Sequence, residues 1–310
     1  MKEASDMSVQ EIYNGAMAGF EHLSNLQPQL CKFESNLFQS PHLSKERELL
    51  TEEENKEIDI LIGEYLRLIA PYTLLLPAAA TLEYLIRKYE IHERNVSEIL
   101  ESTLPFHDTQ FFSKLISIMR VSAVPIFKWL LATSKAGAPL SRKTLVDAMS
   151  KDVAVLQFIL DMAARAVDTK GDCRAVMTFY GVTVTTLLSS NPSVTTSLIR
   201  TLLPSIFRGV KSNNSDYRNA TFMIVMELSI RCKFEEDVLD AILTAVTKQA
   251  NESSAEQVVL LLITIFQHQT PKTIPSNSFK FLIKCPRLVA LLKQYANKFD
   301  IEHLLKVSYL

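Results

Sequence analysis

"NPSVTTSLIRTLLPSIFRGVKSNNSDYRNATFMIVMELSIRC", residues 191–232, decides the fold. Two apolar-periodic runs flank "SNNS" (212–215), a cluster of residue types that make turns and cap helices. Pro204 sits midway along the first run, where it removes one backbone hydrogen bond and bends a helix. In the second run Ser215 or Asp216 is placed to cap. Arg218 is positioned for a loop carbonyl or a neighbouring acid, and Ala220 keeps the helix contact close. Met223, Val225, Met226, Leu228 and Ile230 are the expected core. The stretch therefore reads as one pair of helices, with Pro204, Asp216, Arg218 and Ala220 as its structural hallmarks. No nucleophile or base stands beside the charged cluster, so a catalytic role is not expected there.

Working outward, similar pairs recur. First helices are expected to start near 193, 235 and 276, and their partners near 215, 254 and 286. A two-helix unit of about 40–47 residues is the period of HEAT and armadillo repeats, whose apolar faces are buried only by stacking. Other helices are expected at 141–150, 152–167, 172–189 and 300–307. "VTVTTLL" (182–188) favours strand by its β-branched content. A lone strand amid helices has nothing to pair with, so it too is assigned to a helix.

Before residue 140 the pattern is less regular. Ser8 followed by Glu11 has the form of a capping box ahead of a helix, and Thr51 followed by three acids opens another. Ile58, Leu61, Ile62, Tyr65 and Ile69 then line one face at helical spacing. Residues 28–48 read as a loop with a short helix. Pro71 and Pro77 bracket a break, and Asp108 or Thr109 caps a helix after Pro105. Pro125, Gly137 and Pro139 punctuate a looser segment. The expected organisation is all-α: an irregular helical region over 1–140 and HEAT-like antiparallel pairs over 141–310, continuous in one α-solenoid.

Composition narrows the chemistry. The net charge is −1 over 310 residues, so nothing global draws the chain to nucleic acid or an anionic membrane. Residues 1–60 carry twelve acids against five bases, while residues 270–310 carry seven bases against two acids. Only seven glycines are present, which disfavours phosphate-cradling α/β folds. Cys31, Cys173, Cys232 and Cys285 lack CxxC spacing and read as reduced, buried thiols. The first twenty residues lack a signal-peptide apolar core, and "LIAPYTLLLPAAATL" is cut twice by proline, so no membrane span is expected. The sequon at Asn219 and Thr221 is then a chance match.

Motifs for nucleotide, zinc, calcium or serine-hydrolase chemistry are absent from the sequence. The six histidines include no i, i+4 pair suited to a metal. His107 and Asp108 adjoin, yet sequence neighbours diverge on a helix, and the pair reads as a helix start with His107 in a structural hydrogen bond. Trp129 reads as partly buried packing. No cofactor, metal site or small-molecule substrate is expected. "FKFLIKCPRLVALLKQYANKF" (279–299) interleaves Lys280, Lys284, Arg287 and Lys293 with apolar residues. These four form a candidate partner or RNA surface, set against the alternative of a solvated helix face.

Several segments, in order, resemble one family: "IAPYTLLLPAAATLEYLIRKYEIH" (69–92), "LPFHDTQFFSKLI" (104–116), "FKWLLATSKAGAPLSRKTL", "TFYGVTVTTLL", "LLPSIFRGVKSNNSDYRNATFMIV" and "CPRLVALLKQYANKFDIEHLL". The resemblance is to the N-terminal region of the HEAT repeat-containing protein 1, or U3 small nucleolar RNA-associated protein 10, family. It implies a non-catalytic scaffold of the nucleolar small-subunit processome, supporting rDNA transcription and pre-rRNA processing. It also implies protein partners in that particle, β-propeller proteins among them, with the U3 particle and pre-rRNA met mostly indirectly. Members are far longer, so the chain corresponds to their beginning and leaves an apolar face after Leu310. A HEAT/armadillo adaptor that binds extended peptides in transport or signalling is the alternative.

Overall fold

A computed structural model describes residues 8–40, 47–169, 171–191 and 193–308. Among the described residues all regular structure is helical and no strand occurs. The chain divides into two compact units, Met1–Ala148 with Asp168–Ala175, and Met149–Val167 with Val176–Leu310.

The first unit holds α1 (Val9–Leu26), α2 (Glu52–Ile69), α3 (Leu76–Tyr89), α4 (Ile91–Arg94), α5 (Val96–Thr103), α6 (Gln110–Ile118), α7 (Leu131–Ala136) and most of α8 (Arg142–Lys151). Short 3₁₀ turns interrupt it, at Pro28–Phe33, Ala70–Tyr72, Leu104–Phe106 and Pro125–Leu130 among others. Ser8–Glu11 and Thr51–Glu54 both form complete capping boxes, satisfying orphan amides at the starts of α1 and α2. Of the two caps weighed for α6, Thr109 is the one used. The segment 28–48 contains the 3₁₀ turn expected of it, while positions 41–46 lie outside the described residues.

α1 packs on α3, and Gly19 makes that approach possible. A β-carbon there would stand 2.6 Å from the Pro77 carbonyl oxygen. Phe20, Phe33, Phe38, Tyr65, Tyr84 and Tyr89 form a linked aromatic core between these elements and α2. Arg47, almost wholly buried, pairs with Asp59 at 2.6 Å and donates to the carbonyls of Asn55 and Tyr89. His107 is buried with Nδ1 2.7 Å from the Leu140 carbonyl, and the Leu140 amide returns a bond to the His107 carbonyl. The histidine fastens the loop before α8, as expected. Trp129 is half-buried.

The second unit contains α9 (Val153–Asp168), α10 (Arg174–Ser190), α11 (Thr196–Val210), α12 (Ser215–Arg231), α13 (Glu236–Thr247), α14 (Ala255–Gln269), α15 (Ser276–Ile283), α16 (Leu288–Ala296) and α17 (Glu302–Ser308). The end of α9 and the start of α10 cluster with the first unit. α11, α13 and α15 start at 196, 236 and 276, a forty-residue period. They pack in succession as one layer, and α12, α14, α16 and α17 form the other. Within the first two units of the period the helices are paired, α11 with α12 and α13 with α14. "VTVTTLL" is helical. Thr185 and Thr186 turn their hydroxyls back to the carbonyls of Gly181 and Val182, at 2.8 and 2.6 Å, which hides their polar groups within α10.

Three local expectations are corrected. The cap of α12 is neither Ser215 nor Asp216 but Asn214, whose extended backbone lets Oδ1 accept from the Tyr217 amide at 3.0 Å. Met223 and Ile230 are exposed and Met226 is half-buried, whereas Phe222 and Ile224 join Val225 and Leu228 in the core. Phe222–Met226 is an unbroken apolar run that goes round more than one side of α12, so its sequence holds no single stripe to identify the inner face. Cys31 is exposed and Cys232 half-buried, while Cys173 and Cys285 are buried; none of the four is in a disulfide. Cys31 lies in the short turn Pro28–Phe33, where Leu30 and Phe33 take the inward positions.

Candidate partner-binding surface

The hallmark residues and the basic residues occupy different parts of the second unit. Pro204 lies inside α11. Asp216 stands in the first turn of α12, where an acid complements the helix dipole. Arg218 is buried and donates from Nη1 to the Ser212 carbonyl at 2.9 Å, tying the interhelix turn to α12. Ala220 faces α10, where a β-carbon on Gly181 would come within 3.2 Å of the Ala220 β-carbon. Arg218 and Ala220 are thus engaged within the helix packing, while Pro204 is exposed and Asp216 half-buried.

The C-terminal surface differs. α15 turns Ser278 and Leu282 inward, and Phe279 and Ile283, one turn apart, remain in solvent. Pro286 follows α15, and Arg287 adopts a left-handed backbone (φ 60°) as the chain enters α16. That conformation costs a residue with a β-carbon about 1–2 kcal/mol. Leu291 and Tyr295 anchor α16 inward, and the Tyr295 hydroxyl donates to Glu256 of α14. α17 is tied to the segment just after α14 by His303 Nε2, 2.9 Å from the Pro271 carbonyl. Gln267 Nε2 supports the same join by donating to the Asp300 carbonyl at 2.9 Å.

Lys280 and Lys284 are exposed one turn apart on and just beyond α15, Arg287 is exposed at the start of α16, and Lys293 is exposed along it. Among the described residues none of the four has an acidic partner within 4.0 Å, and residues 276–299 contain no Asp or Glu. Between α14, α15, α16 and α17 opens an apolar groove of about 170 Å³, lined by Val259, Leu262, Phe279, Leu282, Ile283, Leu288, Leu292, Leu304 and Leu305. Sequence reasoning found the cations but missed this groove. Its one signal was the spacing of Phe279, Leu282 and Ile283, a wider apolar face than an eight-residue helix needs for one contact.

Elsewhere, polar dents carry mixed charge. One of about 680 Å³ in the first unit is lined by Arg47, Glu48, Arg87, Lys88, Glu90, His92 and Glu93. Several of its charged groups are engaged in ion pairs, Arg47 with Asp59, Arg87 with Glu83, Glu90 with Arg94 and Glu93 with Arg120. Among the described residues no three His, Cys, Asp or Glu converge to hold a metal ion, and no helix is long and apolar enough to cross a membrane.

The family described as U3 small nucleolar RNA-associated protein 10 matches residues 198–309, from α11 through the basic groove to α17. HEAT repeat-containing protein 1 of Danio rerio is 29% identical over 322 residues, covering 100% of this chain and 15% of the relative. Its homolog in Drosophila melanogaster is 32% identical over 273 residues, 86% of this chain and 13% of the relative. U3 small nucleolar RNA-associated protein 10 of Yarrowia lipolytica is 23% identical over 297 residues, 94% of this chain and 18% of the relative. The chain thus spans roughly a sixth of the length of the curated relatives it matches. HEAT repeat-containing relatives and helices paired at a forty-residue period together fit the α-solenoid class. The chain thus carries a U3 small nucleolar RNA-associated protein 10 domain over residues 198–309 and, along most of its length, is similar to proteins named HEAT repeat-containing protein 1 and U3 small nucleolar RNA-associated protein 10.

Proposed function

We propose that this chain is a non-catalytic scaffold segment in ribosome biogenesis, working in the nucleolus within the U3 small nucleolar particle and the small-subunit processome. It supports pre-rRNA processing and rDNA transcription through protein–protein contacts. The observation that carries this reading is the family match over 198–309, coincident with the best-formed helix pairs. Paired helices supply separate outward surfaces, and several weak contacts on one support act together through effective concentration. The partners are other processome proteins, β-propeller proteins among them. RNA is met mainly through them, because the chain's net charge is −1 and its excess of bases over acids at residues 270–310 is confined to a short stretch.

The test is affinity capture with the tagged chain from nucleolar extract, with U3 RNA and processome proteins as the readout, alongside imaging of the tagged full-length protein. Enrichment of U3 RNA with those proteins, and nucleolar signal, is the expected result. Capture of cytosolic or nuclear-pore proteins alone, with diffuse cytoplasmic signal, replaces this reading with the peptide-binding adaptor.

A further inference from the structure

We propose that the groove between α14, α15, α16 and α17 binds an acidic amphipathic helix of a partner protein. The inference rests on the scaffold reading and names the chemistry of one partner.

The groove comes first. Its walls are apolar, aliphatic except for Phe279, and about 170 Å³ is open. A dry cavity of about 150 Å³ admits benzene, so a leucine or phenylalanine side chain fits here. The apolar surface extends to its outer edge and past it: the lining residues Phe279 and Ile283 are 40% and 68% exposed, and Val289, outside the lining, is 65% exposed. A single inserted side chain does not cover these three, whereas the apolar stripe of a helix lying along α15 and α16 does.

The rim then selects charge. Lys280 and Lys284 adjoin Phe279 and Ile283 in sequence, Arg287 precedes the groove residue Leu288, and Lys293 follows the groove residue Leu292. No acid from 276 to 299 offsets them. On the α17 side Lys306 is already neutralised by Glu302 at 2.6 Å. A partner with leucines at helical spacing flanked by Asp or Glu therefore satisfies both groove and rim. An RNA strand matches the cations but leaves the aliphatic groove and the exposed apolar row in water, so a protein helix is the better occupant.

The test uses the full chain and fluorescence anisotropy. The probe is a labelled peptide of about 20 residues with leucines at i, i+3, i+4 and i+7 and glutamates elsewhere, beside a scrambled peptide of equal composition. Binding of the patterned peptide in preference to the scramble is expected. Ile283→Glu, a change at an exposed position that leaves the melting temperature in place, weakens binding about tenfold or more. Lys280→Glu with Lys284→Glu weakens it at low salt, and the effect shrinks as salt rises. Three outcomes overturn the proposal: no binding, equal binding of the scramble, or displacement of the peptide by oligouridylate. So does a dimer in light scattering that Ile283→Glu abolishes, since a second copy then fills the groove. A chain that captures processome proteins yet ignores the peptide defeats this inference alone. One that binds the peptide yet captures none defeats the scaffold reading alone.

Discussion

Gly209 and Thr221 approach so closely that a β-carbon on Gly209 would stand 1.9 Å from the Thr221 hydroxyl oxygen and 2.9 Å from its β-carbon. The contact joins α11 to α12, and Thr221 is held rigid by donating to the Tyr217 carbonyl at 2.8 Å. Gly209→Ala consequently forces the helices apart. A loss of about 1–3 kcal/mol is expected, read as a lower urea midpoint with an unchanged slope. Adding Thr221→Ala recovers part of it, because the hydroxyl clash is removed and the β-carbon clash remains.

Gln269 links successive pairs. Its Nε2 donates to the Ser229 and Cys232 carbonyls at 2.6 and 2.7 Å, and its Oε1 accepts from the Phe234 amide at 2.9 Å. One side chain at the end of α14 thus satisfies the frayed end of α12. Gln269→Leu retains the bulk and leaves those groups unpaired, at about 1–3 kcal/mol. Amide exchange at Phe234 should accelerate in the variant; protection equal to wild type would show that the bond is dispensable.

In the first unit, Arg47→Met leaves Asp59 without its cation and removes one donor from each of the Asn55 and Tyr89 carbonyls. Asp59 keeps partial access to water, so the expected destabilisation is about 2–3 kcal/mol, below the 3–5 of a fully buried pair. Thermal melts of Arg47→Met and Arg47→Met/Asp59→Asn separate the terms. The double variant should recover stability by relieving the stranded carboxylate.

Burial beside Glu101 and Asp59 pushes the Glu98 carboxyl above its ordinary 4.5. Its folded value therefore exceeds its unfolded one, and ionisation opposes folding. The penalty is complete above the folded value and is lifted as pH falls through it toward the unfolded value. Glu98→Gln should accordingly melt higher than wild type at neutral pH, by less than about 1 kcal/mol in stability. That advantage should vanish near pH 4. An advantage independent of pH would assign the effect to packing against Gly63 instead.

Helix positions were legible in the sequence wherever the signal acts within one turn. The capping boxes at Ser8 and Thr51, the prolines at 71, 77 and 105, and the Leu202–Ile206–Val210 stripe of α11 are short-range patterns. The cap of α12 was missed by one residue because four consecutive polar residues in "SNNS" all suit the role. Half of the candidate surface was legible too: the cations of 279–299 are visible as letters, whereas the groove beside them needs α14 and α17 to supply Val259, Leu262, Leu304 and Leu305.

The sequence by itself determined an all-helical chain, the forty-residue rhythm of its second unit and the basic character of its C-terminal end, since caps, period and charge are written locally. Only the tertiary structure decided which faces of those helices meet. Met223 and Ile230 face solvent while Ala220 and Thr221 press on glycines of other helices. An unbroken apolar run such as Phe222–Met226 covers more than one side of its helix, so neighbours far along the chain decide which side turns inward. For the same reason the exposed leftovers of packing, Phe279, Ile283 and Val289 beside their groove, emerge only when every other apolar side chain has found its place.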